Sequence, residues 1–332
     1  VVLNALAQAG TKASVKAMSA AAAQADYSYQ KNNATASYLT LLNRLSTNEP
    51  KLVGKEAKKL LSAAKKRNLQ DVKVAATKLQ LSLPNAKTEK ILQGAFKDGN
   101  LTYLNGVLNA YPFHDDKKAV ALVEKQFAST KSPELQATLL HWLSNHEVGN
   151  IVPLAVPLTA SSDLMVQKAA AKALTRHGGD DALISLADML KSDNDETVAL
   201  AKNALLTFKG DMANTLTSVF EMSGNEGKKA ILELIAARKM EDQYDLVFNQ
   251  MFTNNATVKA AAANTLKAVV TDKNLNDLFT LLEQPGQTEI PALQQAINVA
   301  LSHLPADQQL EMVTGQMKRS VNKHLYYSAL SN

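Results

Sequence analysis

The residues of this 332-residue chain with the strongest claim to chemistry are His141, His146 and Glu147, in the run His-Trp-Leu-Ser-Asn-His-Glu. Two imidazoles and a carboxylate are donors that hold a divalent metal, but partners on a helix must lie three or four residues apart to share a face. A five-residue step turns the second ring about 140° away. His146 is therefore expected near the carboxyl end of a helix, where the partial negative charge favours it. Asp193, Asp195 and Glu196 match the first alternating positions of a calcium loop, yet the glycine at the sixth place and the distal glutamate are missing. They are expected as a helix cap with acid in the first turn. Asp180-Asp181, Asp211 and Glu241-Asp242 precede successive helices and are expected to repeat one cap.

The sequence has no cysteine, which excludes disulfides, thiolate nucleophiles and cysteine-bound zinc or iron–sulfur clusters. It has no glycine-rich phosphate loop, no Gly-x-Ser-x-Gly turn and no His-Glu-x-x-His helix. No catalytic residue, cofactor or metal is expected. The formal net charge is +5, and it is local: residues 51–100 hold twelve Lys and Arg against four Asp and Glu, whereas residues 101–332 hold twenty against twenty-five. Pro50 opens a helix with Lys51, Lys55, Lys58, Lys59, Ser62 and Lys66 on one side and Val53, Ala57, Leu60, Leu61 and Ala64 on the other. This basic face is the feature a polyanion would use. Arg67 is the only arginine of the stretch and no aromatic residue interleaves to stack on bases, so a solvated face is expected over a nucleic-acid site.

What positions these residues is a repeat. One ladder reads Leu183, Leu186, Ala187, Leu190, then Ala213, Leu216, Thr217, Phe220, then Tyr244, Val247, Phe248, Met251, then Leu275, Leu278, Phe279, Leu282. The last rungs lie 30, 31 and 31 residues apart, and offsets of three, four and seven place each set on one stripe of a helix. A second ladder reads Ala170, Ala173, Leu174, then Ala201, Ala204, Leu205, then Ile231, Leu234, Ile235, then Ala262, Thr265, Leu266. Short polar breaks, such as Ser192-Asp193-Asn194-Asp195, separate the two kinds of helix. One helix pair buries only one face of each helix, so neighbouring pairs must complete the core and the array is a solenoid.

Around this array the other segments are read as follows. Thr11 is expected to cap an Ala-rich helix reaching about Gln30, and a helix from Asn33 or Thr35 carries Leu39, Leu42 and Leu45. Helices are expected near 69–82, 86–97 and 100–110. Pro153 and Pro157 should kink or break the helix that holds Ile151, Leu154, Ala155 and Leu158. Gln284-Pro285-Gly286-Gln287 is expected as an inserted loop, and residues 305–332 as a further helix pair packed through Met317 and Leu325. Val1–Gly10 reads as the end of a second helix with rungs Val2, Ala5 and Leu6, which leads us to expect a piece of a longer protein or a processed form. No run of about 18 apolar residues is present to span a membrane.

An apolar first helix, a short turn and an alanine-rich second helix ending near Gly178 or Gly210 resemble the HEAT family of repeats, over about two-thirds of the chain. The consensus arginine and aspartate pair of HEAT units is not evident, so an armadillo-like or unclassified α-solenoid stands as the alternative. The Asn-, Thr- and Ala-rich texture also resembles the helical-repeat portions of exported gut-bacterial proteins, in which such an array precedes a domain similar to 3-keto-disaccharide hydrolases. That resemblance implies a periplasmic or exported protein rather than a cytoplasmic one. The expected fold is all-α, a right-handed α–α superhelix of about ten helix pairs. Residues 1–112 form an irregular amino-terminal part, 113–304 the regular repeats and 305–332 the terminal pair.

In HEAT-like arrays the second helices line the concave face, which implies partner-binding roles for the polar residues between apolar rungs: His141, Lys172, Asn203, Glu233 and Asn264. Their mixed charge favours a protein surface, or a glycan-bearing partner, over a phosphate backbone. The expected function is a non-catalytic binding scaffold. The alternatives are an accessory repeat region of a larger carbohydrate-active hydrolase, or a nucleic-acid-binding, glycosylase-like solenoid.

Overall fold

Side-chain caps or prolines open several of the helices, and the three-and-four spacing of apolar residues decides which face of each is buried. The computed structural model describes residues 1–29 and 32–332, is 77% helical, and has no strand among the described residues. The fold is an all-α, HEAT-like repeat array. Its contacts divide into two compact units, Val1–Gly149 and Asn150–Asn332.

The first unit holds α1 (Val2–Ala9), α2 (Val15–Gln24), α3 (Ala34–Leu45), α4 (Pro50–Arg67), α5 (Gln70–Leu81), α6 (Thr88–Asp98), α7 (Leu101–Leu108), α8 (Lys117–Ser129) and α9 (Pro133–Asn145). Helices α3, α5, α7 and α9 pack in succession, α4 lies on α5, and α6 and α8 pack together. The helix expected from Thr11 to Gln30 is shorter: Thr11 caps a 3-10 turn, α2 ends at Gln24, and Asp26 and Tyr27 take positive φ of 50° and 55°. Those left-handed residues stop the helix. Gln30 lies outside the described residues. Of the expected rungs on α1, Val2 and Ala5 are exposed and Ala7 is buried instead.

The second unit alternates first helices, α10 (Ile151–Ala155), α12 (Asp180–Asp188), α14 (Ala213–Phe220), α16 (Tyr244–Asn249) and α18 (Leu275–Leu282), with second helices α11 (Leu164–His177), α13 (Asp195–Thr207), α15 (Asn225–Arg238), α17 (Ala256–Val269) and α19 (Ile290–Leu301). Each second helix packs on the next. Pro153 and Pro157 break their helix as expected: α10 stops at Ala155 and a 3-10 segment continues to Ala160. At the end, α20 (Ala306–Arg319) is followed by a 3-10 turn and the short α21 (Tyr327–Ser331), with Val313, Leu325 and Tyr326 buried and Met317 half-buried.

The ladder leucines are buried, including Leu174, Leu205 and Leu266. One rung departs from the reading: Thr217 is exposed, and Val219 takes its place in the core. The Thr217 hydroxyl is 2.6 Å from Gln243 Oε1 and 3.0 Å from Ala213 O, so its polarity is satisfied at the surface between repeats. Phe248 and Ala204 are half-buried. Hydrogen bonds tie equivalent places in successive repeats: Thr197 Oγ1 donates to Gln167 Oε1 at 2.8 Å, and Thr265 Oγ1 donates to Leu232 O at 3.1 Å.

Close helix approach is set by glycine at Gly227 in α15. A Cβ there would lie 2.1 Å from the carbonyl oxygen of Leu190, so only glycine fits.

Candidate functional site

Three of the second helices in the second unit begin with the same side-chain cap. Asp163 accepts from the amides of Met165 (2.8 Å) and Val166 (3.3 Å), Asn194 from Glu196 (2.8 Å) and Thr197 (3.2 Å), and Asn255 from Val258 (3.0 Å). Gly224 occupies the equivalent place before α15. The acidic cluster is thus capping chemistry, with Asn194 as the cap itself. The acids before the first helices do not repeat one cap. Asp180 and Asp181 lie inside the first turn of α12, Asp211 accepts from the amide of Ala213, and Glu241 and Asp242 sit in a 3-10 turn.

Lys172, Asn203, Glu233 and Asn264 each lie nine residues past the cap position of their helix, at 163, 194, 224 and 255. His141 lies nine past Ser132 in the same way on α9. The caps therefore place these side chains at one register. Lys172, Asn203, Asn264 and His141 are exposed, and Glu233 is half-buried. Glu233 and Asn264 line one furrow between α15 and α17, with Lys229 and Thr257. The Glu233 carboxylate is 2.7 Å from Lys202 Nζ on α13, so it also braces one second helix against the next. Asn264 Nδ2 donates to Ala260 O on its own helix at 2.9 Å, and Asn145 Nδ2 lies 2.9 Å from His141 Nε2. These side chains carry imidazole, ammonium, amide and carboxylate groups. No group of three or more metal-binding side chains occurs among the described residues.

His146 sits at the carboxyl end of α9, where the sequence put it, with Nδ1 2.9 Å from Trp142 O. Its ring stacks on His114 at 4.5 Å and tilts against Trp142 at 4.9 Å, and the Trp142 indole donates to Leu108 O at 3.3 Å. The cluster is a packed helix end.

The basic face of α4 divides. Lys51, Lys55 and Lys58 line a groove of about 820 Å³ that runs between α4 and α6 over α5. Lys59 turns aside, 3.7 Å from Glu56 Oε2 and donating to Ser19 Oγ at 2.8 Å, while Lys66 is exposed outside the groove. Sequence reasoning missed the other three groove lysines, Lys65, Lys87 and Lys90. The last two belong to the start of α6, and nothing in the periodicity of α4 says which helix will face it.

Leu61, Leu83 and Ile91 form the apolar floor. Beneath them the Thr77 and Tyr103 hydroxyls are 2.9 Å apart, and Lys73 Nζ sits 4.1 Å from the centroid of the Tyr103 ring. Burial pushes the Tyr103 hydroxyl pKa up, opposed by the Thr77 hydrogen bond and reinforced by Asp98.

Among known proteins, residues 120–205 match the family model of HEAT repeats. Such repeats are generally protein-interaction scaffolds and typically non-catalytic. No curated protein matches the chain. The chain is similar to the crystal structure of an engineered protein from the Northeast Structural Genomics Consortium, with 16% identity, a TM-score of 0.42, and coverage of 98% of this chain and 97% of that one. A second engineered protein from the same consortium matches with 16% identity and a TM-score of 0.21, over 80% of this chain and 96% of that one.

Proposed function

From a HEAT-like array whose second helices carry polar side chains at one register, we propose a non-catalytic scaffold that docks a protein partner across that face in the second unit. The observation that carries this reading is the common nine-residue offset from cap to Lys172, Asn203, Glu233 and Asn264. A docking surface built of repeats presents one contact per repeat, and these four side chains stand at one such place. The mixture of ammonium, amide and carboxylate groups suits a protein surface, where hydrogen bonds and charges of both signs are distributed. It does not suit a phosphate backbone, whose affinity comes from clustered cations.

The test uses a photo-crosslinking residue at position 203 or 264, and the same residue at exposed position 217 on a first helix as control. In extract of the source cells, crosslinks to a discrete partner should form from 203 and 264 and not from 217. Equal labelling from the two faces, or a discrete product from 217 alone, rejects the second-helix surface.

A further inference from the structure

The groove between α4 and α6 differs in its chemistry from the second-helix face. Lys51, Lys55, Lys58 and Lys65 line it from α4, Lys87 and Lys90 line it from the start of α6, and no carboxylate lines it among the described residues. None of the six lysines is within ion-pair distance of a carboxylate among the described residues, although Lys12, Lys59, Lys73, Lys191, Lys202, Lys228 and Lys229 all have such partners. Six unpaired ammonium groups around an apolar floor make a surface complementary to something both acidic and apolar.

Gly94 adds an independent observation. It stands inside α6 and lines the groove, and a Cβ there would meet nothing within 4 Å. Glycine inside a helix weakens it relative to alanine but lets another backbone approach closely. Gly106 and Gly227 are closely approached within the fold: a Cβ would lie 2.4 Å from Val74 Cγ2 and 2.1 Å from Leu190 O respectively. Gly94 is not. It leaves bare helix backbone open to the groove, the arrangement that lets another backbone approach closely.

We propose that this groove binds an acidic amphipathic helix of a partner protein, its apolar side on Leu61, Leu83 and Ile91, its backbone crossing Gly94, and its carboxylates flanked by the lysines. The lysine row on α4 runs from residue 51 to residue 65, about 21 Å along the helix axis, the length of a helical segment of similar size. Nucleic acid fits less well. The lining holds no arginine, and its one aromatic ring, Tyr103, is buried and unable to stack on a base. An apolar floor also has nothing to offer a phosphate. This proposal shares with the second-helix reading only that the partner is a protein, and its variants lie in the first unit, so either can fail without the other.

The experiment measures fluorescence anisotropy at 150 mM salt with a synthetic fourteen-residue helical peptide bearing leucine at positions i, i+4, i+7 and i+11 and glutamate on both flanks. Its comparators are a scrambled isomer of identical composition, a duplex DNA, and vesicles of anionic phospholipid. The ordered peptide should bind at least tenfold tighter than its isomer, and Lys55→Glu/Lys58→Glu/Lys90→Glu should abolish binding. Gly94→Leu should weaken binding at least tenfold, and Gly94→Ala by a smaller factor, with melting temperatures no lower than that of the parent. Equal affinity for the scrambled peptide, unchanged affinity in both Gly94 variants, or tighter binding of DNA or vesicles overturns the proposal.

Discussion

Lys73 Nζ lies 2.5 Å from Asp98 Oδ1, joining the first turn of α5 to the last residue of α6 with both side chains largely withdrawn from water, 6% and 17% exposed. The ammonium also faces the carboxyl end of α6, whose free carbonyls carry partial negative charge. Removing one partner leaves the other charge buried, which is costlier than removing both.

Lys73→Met should therefore destabilise the first unit by about 3–5 kcal/mol, and Lys73→Met/Asp98→Leu should recover most of that loss. Urea unfolding of the two variants beside the parent makes the comparison. A double variant as unstable as the single would show that the pair contributes through packing and not through charge.

Leu205→Ala or Leu266→Ala should cost about 2–5 kcal/mol, since both side chains are fully buried between second helices. Asn203→Ala and Asn264→Ala, on the exposed side of the same helices, should stay within about 0.5 kcal/mol. Thermal melts followed by circular dichroism separate the two classes, and equal losses at all four positions would contradict the register.

That register was legible in the sequence because the buried face of a helix leaves a spacing signature. Val53, Ala57, Leu60 and Ala64 are all buried, and Lys51, Lys55, Lys58 and Lys59 all exposed, as their positions on one helix require. Thr217 was misread because spacing alone does not distinguish a rung from its neighbour, and the hydroxyl is better placed where Gln243 meets it. The candidate site was half legible. A single helix shows Lys51, Lys55 and Lys58 together, but Lys87 and Lys90 join them only through the packing of α5, α6 and α7, a tertiary fact with no local period.

The two kinds of helix glycine should respond in opposite directions to alanine. Gly94→Ala should stabilise the first unit by about 0.5–1 kcal/mol, because it gains helix propensity and meets no neighbour. Gly227→Ala should destabilise the second unit by about 2 kcal/mol or more, since its Cβ would collide with the Leu190 carbonyl and force α15 outward. Chemical denaturation reads both signs, and a stabilising Gly227→Ala would mean the helices separate at no cost.

Stability should fall as pH rises above about 10. Burial first, and then the 2.5 Å hydrogen bond to Glu56, push the Tyr38 hydroxyl pKa far above its usual 10.0; burial and Asp277 raise Tyr244, and burial and Glu283 raise Tyr326. Each folded tyrosine keeps its proton where the unfolded one has lost it, so its contribution is complete below pH 10 and declines above. The slope approaches about 1.4 kcal/mol per pH unit for each such group. Urea midpoints from pH 8 to 11 should fall less steeply for Tyr38→Phe than for the parent, though that variant starts lower by about 1–3 kcal/mol for the lost hydrogen bond to a carboxylate. Parallel curves would exclude Tyr38 as a source of the decline.

The hydrogen bonds from Thr197 to Gln167 and from Thr265 to Leu232 span 30 and 33 residues, close to one repeat, and the Lys202–Glu233 ion pair spans 31. Partners that lie about one unit away, as in these three pairs, make the second unit a structure whose copy number is adjustable. Excising residues 194–223, from one cap to the next, would hand α11 the start of α15 in the phase that α13 now occupies, and every remaining unit would keep a neighbour. A ten-residue excision would leave the caps out of phase and strand a polar face against an apolar one. Because the separation between partners does not grow with the number of units, lengthening such an array adds little to the loop closure that slows folding. In-phase duplication and loss are therefore the cheapest ways for this unit to change the length of the surface it presents.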